Sequence, residues 1–143
     1  MFVDLDEVWQ QMEQLHVVVI GDVMIDSYAW GAVDRVSPEA AVPILEIDYT
    51  EDRLGGAANA ALNCSALGAK VTMATVIGDD DNGNKILEFC EAAAIETSLI
   101  QKSATRRTTR KTRILSHQRQ VMRLDEEDTT ELSTKDEHAF IEK

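Results

Sequence analysis

Two adjacent glycines form the stretch of this sequence best suited to hold a ligand. Gly55 and Gly56 stand directly before the small residues Ala57 and Ala58, with Asn59 next. A glycine pair lets the backbone approach a ligand closely and direct free N–H groups toward it. The alternative interpretation is an ordinary helix between two strands, in which the glycines serve packing alone.

Two carboxylates follow the first predicted strand. The apolar run at 17–20 is typical of a strand that is buried on both faces of a parallel sheet. In open α/β sheets ligands bind beyond the carboxyl ends of the strands, which places Asp22 and Asp26 where a ligand would lie. Carboxylates there can accept hydrogen bonds from sugar hydroxyls. For Asp22, a turn residue that caps the next segment is the alternative.

Half of the basic residues fall in one acid-free stretch. Lys111 and Arg113 share a face of the predicted strand 109–115, because strand side chains alternate, and such a pair suits a phosphate group. A solvated strand pair and a nucleic-acid patch are the alternatives, although the net charge of −12 weakens the second. The seven basic residues are Arg106, Arg107, Arg110, Lys111, Arg113, Arg119 and Arg123.

The elements that must position these residues alternate between strand and helix. Small residues predict a helix at 57–67 that Gly68 ends, and a β-branched run predicts a covered strand at 71–77. Pro38 and Pro43 cannot donate to a β-ladder, so the strand-like residues between Trp30 and Tyr49 are predicted to form edges. A helix at 82–93, strands at 95–100, 109–115 and 120–124, and a helix capped by Ser133 complete the pattern.

Composition excludes several classes of protein. The 143 residues are 44% hydrophobic and 28% charged, which predicts one globular domain. The net charge of −12 argues against nucleic acid and anionic membranes as partners, and no apolar run reaches 18 residues. Cys64 and Cys90 fall in predicted helices and indicate reduced thiols in the cytoplasm. The three histidines have no partners at metal-ligand spacing, so no metal site is predicted here.

Several of these motifs together resemble one family. The glycines at 55, 56, 68 and 78, with Asn59 and Ala61, occur at the intervals of the N-terminal signature of the ribokinase-like (PfkB) sugar kinases. The stretch 21–28, GDVMIDSY, is similar to the opening of the bacterial heptose-phosphate kinases in that family, as are 35–43 and 109–116. The resemblance implies an α/β fold, a three-layer ribokinase-like sheet with a small β lid whose strands lie at about 27–50 and 107–124.

The resemblance also implies roles for individual residues. Asp26, Gly55, Gly56 and Asn59 would bind sugar hydroxyls, and Met24 stands where ribose kinases carry Asn, which argues against ribose. ATP and Mg²⁺ are the implied cofactors. The full set of implied substrate-binding residues is Asp22, Asp26, Glu39, Gly55, Gly56, Asn59, Lys111 and Arg113.

The resemblance covers residues 15 to 128, about the first half of a sugar kinase. The family's catalytic Asp lies in a Gly-Ala-Gly-Asp run, which this sequence lacks, and the nucleotide pocket belongs to the other half. We therefore expect no catalytic residue in this segment and no turnover from it alone. We likewise expect this segment to lack the adenylyltransferase domain that is often fused to such kinases.

Two classes of function remain open. The first is ATP-dependent phosphorylation of a sugar phosphate, expected to be heptose 7-phosphate converted to the 1,7-bisphosphate for lipopolysaccharide precursors; another PfkB specificity, such as fructose or a nucleoside, is the alternative within this class. The second is a non-catalytic module that binds sugar or pairs two chains. A half-domain would leave an unpaired sheet edge, so we expect self-association, with a homodimer through the lid.

Overall fold

A computed structural model describes residues 4–117 and 119–143 as an α/β protein with two separate sheets. The helices are α1 (Leu5–Met12), α2 (Ala57–Ala66), α3 (Asp81–Ala92) and α4 (Thr134–Ile141). The strands are β1 (His16–Ile20), β2 (Val23–Val36), β3 (Pro43–Gly56), β4 (Lys70–Gly78), β5 (Ile95–Glu96), β6 (Ile100–Ser103), β7 (Thr109–Ser116) and β8 (Arg119–Glu126). The predicted helices at 57–67 and 82–93 are confirmed to within one residue.

The first sheet, which we call the core sheet, is parallel and built around β4. β1 pairs with one edge of β4, while β5 and β6 pair with successive parts of its other edge. The buried side chains of β4, including Met73 and Ile77, pack with Ala58 and Ala61 of α2 and with Ile86 of α3. This cluster fixes α2, and therefore the glycine pair before it, against the carboxyl end of the sheet.

The prediction that β1 is buried on both faces is wrong. Val17 and Val19 pack against the core, but Val18 is 49% exposed and Ile20 is 71% exposed. Among residues 4–117 and 119–143, β1 pairs with β4 alone and is an edge strand. A continuous apolar run signals that both faces can be covered, but it does not show what covers them.

The second sheet, the lid sheet, has the strand order β3-β2-β7-β8. The predicted lid segments at about 27–50 and 107–124 overlap these four strands, although β2 begins at Val23, β3 ends at Gly56 and β7 begins at Thr109. β3 is an edge as predicted, but β2 is an interior strand because β7 pairs with it from Met24 to Gly31. The expected turn between β7 and β8 contains His117, whose φ of 46° is left-handed, whereas Gln118 lies outside the described residues.

The glycine pair joins the two sheets at the point where β3 runs into α2. Gly56 has a φ of 59°, and the carbonyl of Asp22 accepts a hydrogen bond from the Ala57 N–H at 2.8 Å. A Cβ atom on Gly56 would lie 2.5 Å from that carbonyl oxygen, and one on Gly55 would lie 2.6 Å from the Asp26 carboxylate. Position 56 therefore requires glycine, whereas a side chain at position 55 would displace the Asp26 carboxylate, and both glycines bring β3 against the start of β2.

Candidate functional site

One face of the lid sheet, which we call the front face, carries three of the eight predicted site residues: Asp26, Lys111 and Arg113. Asp26 lies in the centre of this face on β2, in register with Arg53 on β3 and Lys111 on β7. Two residues farther along, Tyr28 is in register with Arg113 on β7. Alternation along the three strands puts these five side chains on the same side of the sheet.

Asp26 and Arg113 form an ion pair at the middle of the front face. Their side chains are 20% and 23% exposed, so the pair is only partly screened by water. The Arg113 guanidinium also lies over the ring of Tyr28, 5.4 Å from its centroid. The structure therefore brings together two residues predicted from separate motifs, 87 positions apart in the chain.

A cleft of about 620 Å³ opens beside Asp26. Its polar lining includes Asp26, Arg53 and Asn59, and its apolar wall includes Leu62 and Phe89 from α2 and α3. Asn59 enters the cleft because it lies in the first turn of α2, directly after the glycine pair. Two predicted residues, Asp26 and Asn59, therefore line one cleft, and Gly55 lies against the Asp26 carboxylate; Gly56 faces the Asp22 carbonyl and does not line the cleft.

Lys111 lies on the front face but is held by two carboxylates of its own. Its ammonium donates to Glu127 at 2.7 Å and to Asp125 at 3.2 Å, and its side chain is 17% exposed. The hydrogen bond to Glu127 and the neighbouring Asp125 raise the pKa of Lys111 above its ordinary value. Lys111 lines a second cleft of about 500 Å³ together with Asp22.

The remaining predicted residue, Glu39, lies away from the others. It belongs to the turn between β2 and β3, where its N–H donates to the Ser37 hydroxyl at 3.2 Å. This turn is at the opposite end of β2 from Asp26. Within one chain, the structure does not bring Glu39 to either cleft described above.

The opposite face of the lid sheet carries an ion network that the sequence did not reveal. The Asp52 carboxylate accepts hydrogen bonds from Lys85 of α3 at 2.6 Å, from Arg110 of β7 at 3.2 Å and from the Ser27 hydroxyl. Arg110 also donates to Ser27 at 2.9 Å and to Asn82 of α3 at 3.3 Å. The network ties β2, β3 and β7 to α3 and so fixes the lid sheet above the cleft.

The pKa of Asp52 reflects this environment. Burial opposes its ionisation, but the hydrogen bonds from Lys85 and Ser27 and the charge of Arg110 outweigh burial and lower the pKa below its ordinary value. Its side chain is 14% exposed, so the charge depends on these partners rather than on water. Asp52 is therefore ionised near neutral pH and anchors two cations at once.

Aromatic residues extend the front face away from the core sheet. Tyr28 and Trp30 stack with centroids 5.2 Å apart, and Trp30 and Tyr49 stack at 4.5 Å. Arg53 lies over the Tyr28 ring at 5.0 Å and pairs with Glu51 through two hydrogen bonds. Alternating Tyr28 and Trp30 could have indicated this stack, whereas no local pattern identified Arg53 as part of a site.

Comparison with known proteins is consistent across sequence and structure. Residues 14–142 match the family described as pfkB family carbohydrate kinase. "Bifunctional protein HldE" of Pelobacter propionicus is 42% identical over 129 residues, covering 90% of this chain and 26% of that protein. "D-beta-D-heptose 7-phosphate kinase" of Bordetella bronchiseptica is 44% identical over 116 residues, covering 81% of this chain and 37% of that protein. The chain thus spans about a quarter to a third of the length of these curated relatives.

Solved structures agree on the fold. A carbohydrate kinase from Agrobacterium tumefaciens superposes with a TM-score of 0.64 at 26% identity, covering 79% of this chain and 36% of that one. A ribokinase from Cryptococcus neoformans in complex with ADP superposes with a TM-score of 0.58 at 23% identity, covering 79% of this chain and 35% of that one. The predicted ribokinase-like fold is confirmed. Within residues 4–117 and 119–143, no helix is both long enough and apolar enough to cross a membrane.

The Asp52 network generates a pH-dependent stability prediction. At pH 7, Asp52→Asn should lower the free energy of unfolding by about 1–3 kcal/mol, because it removes a charged acceptor from two cations. Since the folded-state pKa lies below the unfolded one, this stabilisation is present above the unfolded pKa of about 4 and is lost as the pH falls through the folded value. Urea unfolding of both proteins at pH 7 and at pH 3 measures the difference.

A matched control is Asp79→Asn, since the Asp79 side chain is 64% exposed in its pair with Lys102. That change should alter the unfolding free energy by less than about 0.5 kcal/mol. Equal effects of the two substitutions, or an Asp52→Asn effect that grows below pH 4, would contradict the anchoring role of Asp52.

Proposed function

Because the chain belongs to the pfkB family of carbohydrate kinases, we propose that it forms the sugar-phosphate site of a heptose 7-phosphate kinase. The observation that carries this proposal is the cleft in which the Asp26 carboxylate lies over Gly55, beside Asn59 and in contact with Arg113. A carboxylate and an amide on one wall suit vicinal hydroxyls, and a cation beside them suits a phosphate. The choice of heptose 7-phosphate as the sugar is based on the name of the Bordetella bronchiseptica relative.

The proposed reaction transfers the γ-phosphoryl group of ATP to the 1-hydroxyl of heptose 7-phosphate, giving the 1,7-bisphosphate for lipopolysaccharide precursors. In such transfers the protein contributes positioning and electrostatic stabilisation more than covalent chemistry. Mg²⁺ would neutralise the phosphate charge. Within 4–117 and 119–143 no group of three His, Cys, Asp or Glu residues is arranged to hold a metal ion, and we assign no step to one.

This chain's own contribution is binding and orientation. Asp26 would accept hydrogen bonds from the sugar hydroxyls and Asn59 would both accept and donate them, while the glycine pair lets the backbone approach the ligand. The lid sheet would exclude water from the reacting end of the sugar. Since the 143 residues contain no Gly-Ala-Gly-Asp run, we propose that they bind the sugar phosphate without turning it over. A cytoplasmic location is part of the same proposal, consistent with the unpaired Cys64 and Cys90.

We also propose that two chains pair through their lid sheets. Apolar side chains on β3 and β8 are about half exposed, which is a large apolar area for two outer strands. Both edges of the lid sheet are free in the described part of one chain, so a second lid could cover them. The exposed residues are Ile47, Tyr49, Val121, Met122 and Leu124.

Light scattering tests the pairing. The chain should elute at twice its mass of 15.9 kDa, and Met122→Glu should shift it to the single mass because a buried charge opposes association. Val8→Glu, on the exposed side of α1, serves as the matched control and should leave the dimer intact. A wild-type chain that elutes as a monomer at micromolar concentration would contradict the proposal.

The sugar site generates a binding prediction. Asp26→Asn should weaken the binding of heptose 7-phosphate about 10- to 100-fold, because hydrogen bonds to a charged acceptor are replaced by weaker ones. Isothermal titration calorimetry on the 143-residue chain measures it. Asp48→Asn, an exposed position on β3, is the control and should bind like the wild type. Unchanged affinity in Asp26→Asn would refute the assignment of the site.

A further inference from the structure

We propose that Arg53 and Arg113 together bind the phosphate group of the sugar phosphate above the ring of Tyr28, with Arg53 as the residue that selects phosphorylated over unphosphorylated sugar. The inference rests on the proposed function and deepens it. Arg53 belongs to neither the basic stretch at 106–123 nor the glycine signature, so it emerges from the geometry of the lid sheet alone.

The two guanidinium groups approach Tyr28 from opposite neighbouring strands. β2 lies between β3 and β7, Arg53 projects from β3 and Arg113 from β7, and all three residues lie on the front face. The Cζ atoms lie 5.0 Å and 5.4 Å from the ring centroid. Both guanidinium groups thus lie beside the same ring, and planar donors of this kind suit a tetrahedral anion through bidentate hydrogen bonds.

The ion pairs show which cation of the front face is available to a ligand. Lys111 is held by two carboxylates and is 17% exposed. Arg53 is held by Glu51 alone, on its own strand, and both side chains are open to solvent at 54% and 43%. Exposed pairs of this kind contribute little to stability, so an incoming dianion can displace Glu51 more easily than it can displace the partners of Lys111.

The cleft places the two ends of the ligand. Asn59, Asp26 and Arg53 line the same cavity, and Tyr28 lines it farther from the core sheet. A sugar whose hydroxyls contact Asp26 and Asn59 therefore extends its substituent toward Tyr28, between the two arginines. Arg113 stays paired with Asp26 through Nη1 and donates its other N–H groups to the phosphate, whereas Arg53 exchanges Glu51 for the phosphate.

This arrangement accounts for selectivity by charge. An unphosphorylated sugar fills the hydroxyl positions at Asp26 and Asn59, but it carries no anion that could replace Glu51 as the partner of Arg53. Loss of the Arg53 side chain should therefore affect only ligands that carry the phosphate. Loss of the Glu51 carboxylate removes the competing anion and should therefore increase the affinity for the phosphorylated ligand.

The test compares two ligands, heptose 7-phosphate and unphosphorylated heptose, by calorimetry on the 143-residue chain. Arg53→Gln should weaken the phosphorylated ligand about 10-fold or more and leave the other unchanged, because a charge-assisted bidentate contact is lost. Arg53→Lys should recover part of the loss, since it restores the charge without the fork of donors. Glu51→Gln should tighten the phosphorylated ligand. Arg123→Gln is the matched control, because Arg123 lies on the front face, on β8, and its side chain is 47% exposed.

Each other outcome is decisive. Equal weakening of both ligands by Arg53→Gln would make Arg53 a structural or hydroxyl-binding residue and overturn the inference. An equal effect of Arg123→Gln would show general electrostatics and overturn it too. If the wild type binds both ligands equally and Asp26→Asn still abolishes binding, the phosphate assignment fails while the sugar site stands. If the wild type binds neither ligand, the proposed function itself fails.

Discussion

The close approach of β3 to the start of β2 is the constraint on which the rest of the structure depends. It exists because Gly55 and Gly56 carry no Cβ atoms where the Asp26 carboxylate and the Asp22 carbonyl oxygen lie at 2.6 Å and 2.5 Å from the positions those atoms would take. One contact then fixes three things: the turn into α2, the position of Asn59 and the orientation of Asp26. A larger residue at position 56 would clash with the Asp22 backbone, and one at position 55 would displace the Asp26 side chain.

The two faces of the lid sheet differ in role: one is anchored to α3, and the other carries the candidate site residues. The face toward α3 is anchored by the Asp52 carboxylate, which draws Lys85 and Arg110 together under the sheet. The front face carries the Asp26–Arg113 pair, which is about one fifth exposed, and the far more exposed pair of Arg53 and Glu51. The chain has a net charge of −12, and the cations of the front face are each paired with a carboxylate, so an anionic ligand would have to displace one of these carboxylates.

Much of the fold and part of the site could be predicted from the sequence, because the signals are local. A run of small residues and the glycine at 68 predicted α2 to within one residue, and alternation placed Lys111 and Arg113 on one face. Partners across strands could not be predicted, since they depend on register: Asp52 meets Ser27 and Arg110 across 25 and 58 residues. For the same reason the sequence grouped Lys111 with Arg113, although Lys111 is paired with Asp125 and Glu127. The burial of β1 was overestimated because an apolar run does not reveal which neighbours cover it.

A titration of the ¹⁵N-labelled chain with heptose 7-phosphate, followed by two-dimensional NMR, tests the central claim that this cleft is the sugar-phosphate site. We predict the largest shifts at the backbone amides of Gly55, Gly56 and Asn59 and at the Nε–H groups of Arg53 and Arg113, with small changes at Asp79 and Lys102. Shifts concentrated around Asp22 and Lys111 instead would place the ligand in the second cleft and contradict the account, as would a spectrum that does not change.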